Sequence, residues 1–193
     1  MWKANFAFVV GLSIMACPAS LQAQIITATD TTSEASVQII NTPYLLQPAN
    51  KYGAVWVALD KNTLKNDRTP LQKGSYGTVE AQEKVYFSSD EMKKSKILVI
   101  FINTKNQPLT ITPTNLSPAK SLSDASDRNK TLLVALNNMT LTDTVTSGEE
   151  DNWHKGNPKK IPLLSGNTTW IEPGIHTLKN VGREKSEFIT IEW

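Results

Sequence analysis

The run Ile97-Leu98-Val99-Ile100-Phe101-Ile102 is the strongest structural signal in this chain, because all six of its residues are apolar. Residues 54–59 and 132–136 form two further runs without a polar residue. Short, β-branched runs of this kind are typical of strands that are buried on both faces. We therefore expect three central strands, whose outer faces are covered either by loops of this chain or by a partner.

The remaining apolar runs are also short, and most of them end near Asn, Gly, Pro or Asp. They cover residues 37–40, 78–79, 85–87, 109–112, 139–142, 168–171, 176–178 and 188–193. About ten β-branched or aromatic runs at this close spacing predict an all-β sandwich or barrel. No internal sequence repeat accompanies them. Short helical turns are expected only as connectors, at residues 88–96 and 117–120.

Residues 101–113 read as a strand, an Asn-rich turn, a proline and a second strand, and residues 170–178 place Pro173-Gly174 between two apolar runs. Both segments resemble hairpins of bacterial extracytoplasmic immunoglobulin-like modules. The resemblance implies a single immunoglobulin-like antiparallel β-sandwich at residues 37–193, with a binding or accessory role and no catalytic residues. The disulfide of antibody-type domains is excluded, because Cys17 is the one cysteine in the sequence.

Residues 1–23 have the layout of a secretory signal peptide. Lys3 precedes an apolar run that is broken at Pro18, and Ala23 offers a small residue for cleavage. The run is too short to span a bilayer comfortably. We expect a bacterial protein that is periplasmic or secreted, in which residues 24–36 form a flexible N-terminal segment.

Cys17 supports a second interpretation of the same region. Ile14-Met15-Ala16-Cys17 resembles a bacterial lipobox, with Met15 as the poor match. Lipidation of Cys17 would anchor the protein to a membrane, with the Thr/Ser-rich stretch that follows as its tether. Both interpretations stay open at the level of sequence.

Candidate binding residues cluster in one polar segment, residues 143–160. Long loops within a compact domain are often functional. This one combines an aromatic side chain with an imidazole and carboxylates, so we predict a binding site made of Trp153, His154, Glu150 and Asp151.

Catalytic and metal-binding motifs are missing from the sequence. His154 and His176 are the only histidines, they lack the spacing of metal ligands, and we expect His176 on the surface beside its Pro-Gly turn. The net charge is only +2, and the sequence has no cluster of basic residues of the kind that binds nucleic acid. We therefore predict a protein that is not an enzyme, has no cofactor or metal, and binds a protein or another component of the cell envelope.

Two other classes of protein remain possible. Residues 188–193 end in Trp193, as the last strand of an outer-membrane β-barrel does, and the chain has the length of an eight-stranded barrel. The lack of alternation in residues 97–102 argues against that class. An enzyme with carboxylates brought together by folding is the third class, and no motif marks it.

The mass of the native protein tests the N-terminal interpretation. We expect intact-mass spectrometry of the protein from its own host to show a chain that begins at Gln24, because Ala23 is the predicted cleavage site. A chain that begins at Cys17 and carries acyl groups would show lipidation instead. A chain that still begins at Met1 would contradict both interpretations.

Overall fold

The computed structural model describes residues 25–31, 35–60, 64–66, 69–89, 95–104, 110–123, 130–147 and 154–193. Within these ranges the chain forms antiparallel strands, turns and irregular segments without a helix, which confirms the all-β prediction. This part of the chain accordingly holds no helix that could cross a membrane. The helical turn expected at residues 117–120 is a non-helical turn, in which the amide of Lys120 donates to the carbonyl of Ser117.

The strands fall into two consecutive sets. The first set, here called the first half, consists of β1 (Ile25–Thr31), β2 (Ala35–Asn41), β3 (Tyr44–Leu46), β4 (Ala54–Ala58), β5 (Leu64–Asn66), β6 (Thr69–Pro70), β7 (Tyr76–Val79), β8 (Val85–Ser89) and β9 (Lys96–Ile102). The second half consists of β10 (Thr110–Leu116), β11 (Ser121–Ser123), β12 (Thr131–Ala135), β13 (Met139–Ser147), β14 (His154–Lys155), β15 (Lys159–Leu163), β16 (Thr168–Ile171), β17 (Ile175–Asn180) and β18 (Ser186–Glu192).

The two halves repeat one topology. The first half contains sheets in the order β2-β9-β4-β7 and β3-β8-β5-β6, and β1 extends the first of them beyond β2. The second half contains the corresponding sheets β10-β18-β12-β16 and β11-β17-β13-β15, with β14 also paired to β13. The repeat lies in the strand order, since the amino-acid sequences of the halves show no matching pattern.

The segments that resemble immunoglobulin hairpins are not hairpins, so that prediction is wrong. Residues 101–113 connect β9 to β10, and these strands lie in different sheets of different halves. Residues 170–178 connect β16 to β17, which also belong to separate sheets. Both segments are crossovers between sheets. A proline or Pro-Gly pair between two apolar runs indicates a change of direction, but it does not determine which strand the chain pairs with next.

A central core joins the two halves. It lies between the sheet β2-β9-β4-β7 and the sheet β10-β18-β12-β16, which face each other. Its buried residues are Ala35, Val37, Val55, Val57, Leu59, Leu98, Ile100 and Ile102 from the first half, and Leu132, Val134, Leu136, Ile189, Ile191 and Trp193 from the second.

The remaining residues of these strands point into separate interiors of the two halves. In the first half Trp56 and Phe87 pack edge to face inside, with ring centroids 5.2 Å apart. In the second half Leu133 and Phe188 lie inside. Successive side chains of a strand point to opposite faces, and each face of β4 and β12 is covered, so every residue of both strands is buried. The outer faces of the apolar strands are thus covered by the opposite half.

Truncation of a residue in the central core tests this arrangement. Ile100 is fully buried, and we expect Ile100→Ala to lower the free energy of unfolding by about 2–5 kcal/mol, because it removes transfer free energy and leaves a cavity. Leu164 is 62% exposed, so Leu164→Ala is the matched control and should change it by less than about 0.5 kcal/mol. Urea denaturation followed by tryptophan fluorescence measures both. Equal effects would contradict the face-to-face packing.

Candidate functional site

A pocket of about 190 Å³ opens into the interior of the second half. Its polar lining residues are Thr112, Thr114, Ser123, Thr131, Thr190, Glu172, Glu192 and His176. Below them the interior is apolar, with Leu141 and Phe188 fully buried. The second half is therefore closed by hydrophobic packing at one end and has a polar cavity at the other.

Strand alternation carries these polar residues inward. On β18, Ile189 and Ile191 lie in the central core, while Phe188 lies in the interior of the second half and Thr190 and Glu192 line the pocket above it. A strand places successive residues on opposite faces, so one strand supplies both the packing between the halves and one wall of the pocket.

His176 and Asp143 form the buried polar pair of this site. They lie on the adjacent strands β17 and β13. The Nδ1 atom of His176 is 2.9 Å from Oδ1 of Asp143 and 3.0 Å from Oδ2. Both residues are more than nine-tenths buried, with 8% and 9% exposure. The expectation of a surface position for His176 is wrong, because β17 begins at Ile175 and alternation turns the next side chain inward.

The second ring nitrogen of His176 has no hydrogen-bond partner within the described part of the chain, although it is buried. A carboxylate accepts hydrogen bonds and does not donate them, so in the neutral ring Nδ1 carries the proton and Nε2 has a free lone pair. Gly174 keeps space beside this atom. A Cβ at position 174 would stand 3.5 Å from Nε2, and the backbone has a φ of +143°, which favours glycine.

The arrangement is suited to proton transfer. The Asp143 carboxylate fixes the orientation and tautomer of the imidazole, and it stabilises the imidazolium that forms when Nε2 accepts a proton. Hydroxyl groups of the threonines around the pocket supply hydrogen-bond donors for an oxygen atom of a ligand.

The first half has no comparable polar lining at the equivalent positions. Thr131 and Glu192 face each other on β12 and β18, and the corresponding pair on β4 and β9 is Ala54 and Phe101. Two residues further along these strands, Leu133 faces Thr190 in the second half, whereas Trp56 faces Val99 in the first half. Large apolar side chains thus occupy the part of the first half that is a pocket in the second.

Asp143 is the residue of the predicted segment 143–160 that reaches this site, through its contact with His176, and it is not one of the four predicted binding residues. His154 is exposed on β14 and does not line the cavity. Glu150, Asp151 and Trp153 lie outside the described residues, as does Cys17. The predictions for these residues stay predictions.

Metal ligands are not assembled in the described part of the chain. No group of three His, Cys, Asp or Glu side chains there could hold a metal ion. His176 is the one histidine of the pocket lining, and its Nδ1 is engaged by Asp143. The donor set around the pocket does not fit a mononuclear metal centre.

One sequence signal could have revealed the pocket. Residues 188–193 alternate apolar residues with Thr190 and Glu192, and Thr112 and Thr114 show the same spacing on β10. Alternation of this kind means that one face of the strand is polar. The sequence alone allows it as a strand of the β-sandwich or, in the alternative class, as the last strand of a membrane barrel, because residues that line an internal cavity and residues that face water follow the same pattern.

Comparison of the fold with solved structures identifies related architectures. A conserved protein of unknown function, PA5104 from Pseudomonas aeruginosa, superposes with a TM-score of 0.61 at 10% identity over 84% of this chain and 83% of that chain. Vicilin from hazelnut, Corylus avellana, gives 0.53 at 10% identity over 89% and 82%. HEPD from Streptomyces albus, with 2-hydroxyethylphosphonate and Fe(II) bound, gives 0.54 at 8% identity over 88% and 73%. By sequence, no family profile and no curated protein matches.

These neighbours are cupin-like, so the chain has a cupin-like β fold. Each is at most 10% identical to it, and the likeness therefore shows the fold alone. The immunoglobulin-like assignment is wrong in fold as well as in its hairpins. The cupin-like fold also replaces the alternative of an outer-membrane barrel.

The functional predictions that rested on that assignment are corrected too. The prediction of a non-catalytic envelope-binding protein is wrong, and so is the prediction that the chain is not an enzyme, since the neighbours include HEPD with its substrate bound. Export of the chain and an envelope partner stay predictions, because residues 1–23 lie outside the described residues.

Nuclear magnetic resonance tests the His176–Asp143 pair. In the neutral imidazole we expect long-range ¹H–¹⁵N spectra to show the proton of His176 on Nδ1, because Asp143 accepts it. His154, exposed on β14, is the internal control and should not share this preference. Asp143→Asn should abolish it for His176. A proton on Nε2 in the wild-type protein would contradict the pairing.

Proposed function

We propose that this chain is an enzyme that binds a small polar molecule in the pocket of the second half and moves a proton through His176. The observation that carries the proposal is the buried imidazole, held at Nδ1 by Asp143 and left without a partner at Nε2 beside a cavity. Buried polar atoms without partners are uncommon in folded proteins, and they mark candidate sites when they adjoin a pocket.

The roles of the residues follow from their positions. Nε2 of His176 accepts a proton from a carbon atom next to a carbonyl group of the ligand, and Asp143 stabilises the resulting imidazolium. Threonine hydroxyls of the pocket, such as that of Thr114, donate to the carbonyl oxygen as it gains negative charge. Return of the proton to a different carbon, or to the same carbon from the other side, completes an isomerisation.

A metal-dependent reaction is the second candidate, because HEPD, a neighbour in fold, holds Fe(II). The described donor set of this chain does not fit such a centre. The acid–base proposal therefore uses no metal-dependent step. The predicted export of the chain would place the reaction in the periplasm or outside the cell.

Hydrogen exchange tests the proposal. The wild-type protein in D₂O is incubated with a panel of small hydroxy aldehydes and hydroxy ketones, with and without an amino group, and the loss of their C–H signals is followed by ¹H NMR. We expect exchange with at least one member, and we expect His176→Gln to slow it by about 10²–10⁴-fold, the usual contribution of a general base.

His154→Gln is the matched control, since it removes the other histidine of the chain, which is exposed and does not line the pocket. Its exchange rate should equal that of the wild type, and thermal denaturation should show that both variants are folded. Exchange that persists in His176→Gln, or no exchange with any member of the panel, would overturn the proposal.

A further inference from the structure

We infer that the pocket of the second half selects hydroxy ketones that carry a short alkyl group, and that Leu122 is the side chain that recognises this group. The inference deepens the proposed function and rests on it for the location of the ligand. It concerns the part of the ligand that does not react, so it leaves the Nε2 lone pair of His176 free to accept the proton.

One wall of the pocket presents leucine side chains beside the imidazole. His176 and Leu178 lie two residues apart on β17, so both side chains point to the same face of the sheet. Leu122 lies directly opposite Leu178 on β11, and both leucines line the cavity. Ser123 also lines it, but the Ser123 hydroxyl is 3.5 Å from that of Thr177, which alternation places on the other face. The wall next to the base is therefore apolar.

The other sheet of the second half lines the same cavity with threonines. Thr112 on β10 lies opposite Thr190 on β18, and Thr114 lies two residues further along β10. A pair of threonines and a pair of leucines thus line one cavity from two different sheets. A ligand that fits both walls has oxygen atoms on one side and an apolar group on the other, because a hydroxyl group buried against leucine loses hydrogen bonds to water without replacement.

Leu122 is the accessible member of the leucine pair. It is 39% exposed, whereas Leu178 is 6% exposed and belongs to the packed interior of the second half. An alkyl group that covers Leu122 removes apolar surface of ligand and protein from water, which favours binding. Two residues of a strand span about 6.6 Å, so a short alkyl group attached next to the reacting carbon at His176 reaches the leucines.

Two probes that differ in one group test the inference. 1-Hydroxybutan-2-one ends in a methyl group where dihydroxyacetone ends in a hydroxyl group, and the two molecules are otherwise identical. We expect calorimetric titration of the wild-type protein to show about tenfold tighter binding of 1-hydroxybutan-2-one, because its methyl group is buried against leucine without an unpaired hydroxyl. The ¹H–¹⁵N signals of His176 should shift with both probes, which locates their binding in this pocket.

Substitution of Leu122 tests its part in this preference. Leu122→Ala should reduce the preference at least about threefold, because it removes apolar area from the wall, and should leave the affinity for dihydroxyacetone unchanged. Leu122→Met keeps an apolar side chain of similar volume and should keep the preference. Val181→Ala is the matched control, since Val181 is 44% exposed in the same half and does not line the pocket. Thermal denaturation should show that all three variants are folded.

The outcomes separate this inference from the proposed function. A preference for 1-hydroxybutan-2-one that Leu122→Ala reduces, without hydrogen exchange in D₂O, would overturn the proposed function alone. Hydrogen exchange together with equal affinities, with a preference for dihydroxyacetone, or with a preference that Leu122→Ala leaves intact would overturn the inference alone. Absence of saturable binding of both probes to the wild-type protein would also overturn the inference.

Discussion

The packing of one sheet from each half against the other is the interaction on which the rest of the structure depends. Burial of apolar surface is the main favourable term in folding, and here it occurs in three places: between the halves and inside each of them. The strands β4, β9 and β12 contribute to two of these places at once. Both faces of these strands pack against other parts of the protein and not against water, and this explains why their sequences contain uninterrupted apolar runs.

This packing also determines where polar chemistry can be located. The outer face of each central sheet is used to join the halves, so a polar residue on the other face points into the interior of its own half. In the first half the interior positions are filled by Trp56, Phe101 and their neighbours. In the second half Thr131, Thr190 and Glu192 occupy the equivalent region, and a cavity remains. One topology thus gives a filled interior and a candidate site.

Sequence patterns predicted the secondary structure far better than the arrangement of the strands. Most of the described strands coincide with an apolar run, because alternation, β-branching and turn residues are local properties. The pairing of strands is not local: Leu132 lies opposite Ile191, and Ala54 lies opposite Phe101. Crossovers between sheets were interpreted as hairpins for this reason. His176 was assigned to the surface because its neighbours, Pro173 and Gly174, indicate a turn, while its inward direction depends on where β17 begins.

The local sequence was enough to predict an all-β chain with three strands buried on both faces, since strand propensity and hydrophobic pattern depend only on neighbouring residues. The repeat of one topology in two halves, the cupin-like fold and the meeting of His176 with Asp143 were decided only in three dimensions. Asp143 and His176 are separated by 33 positions, and their contact depends on the register between β13 and β17. That register is set by the packing of whole sheets, which no short stretch of the sequence contains.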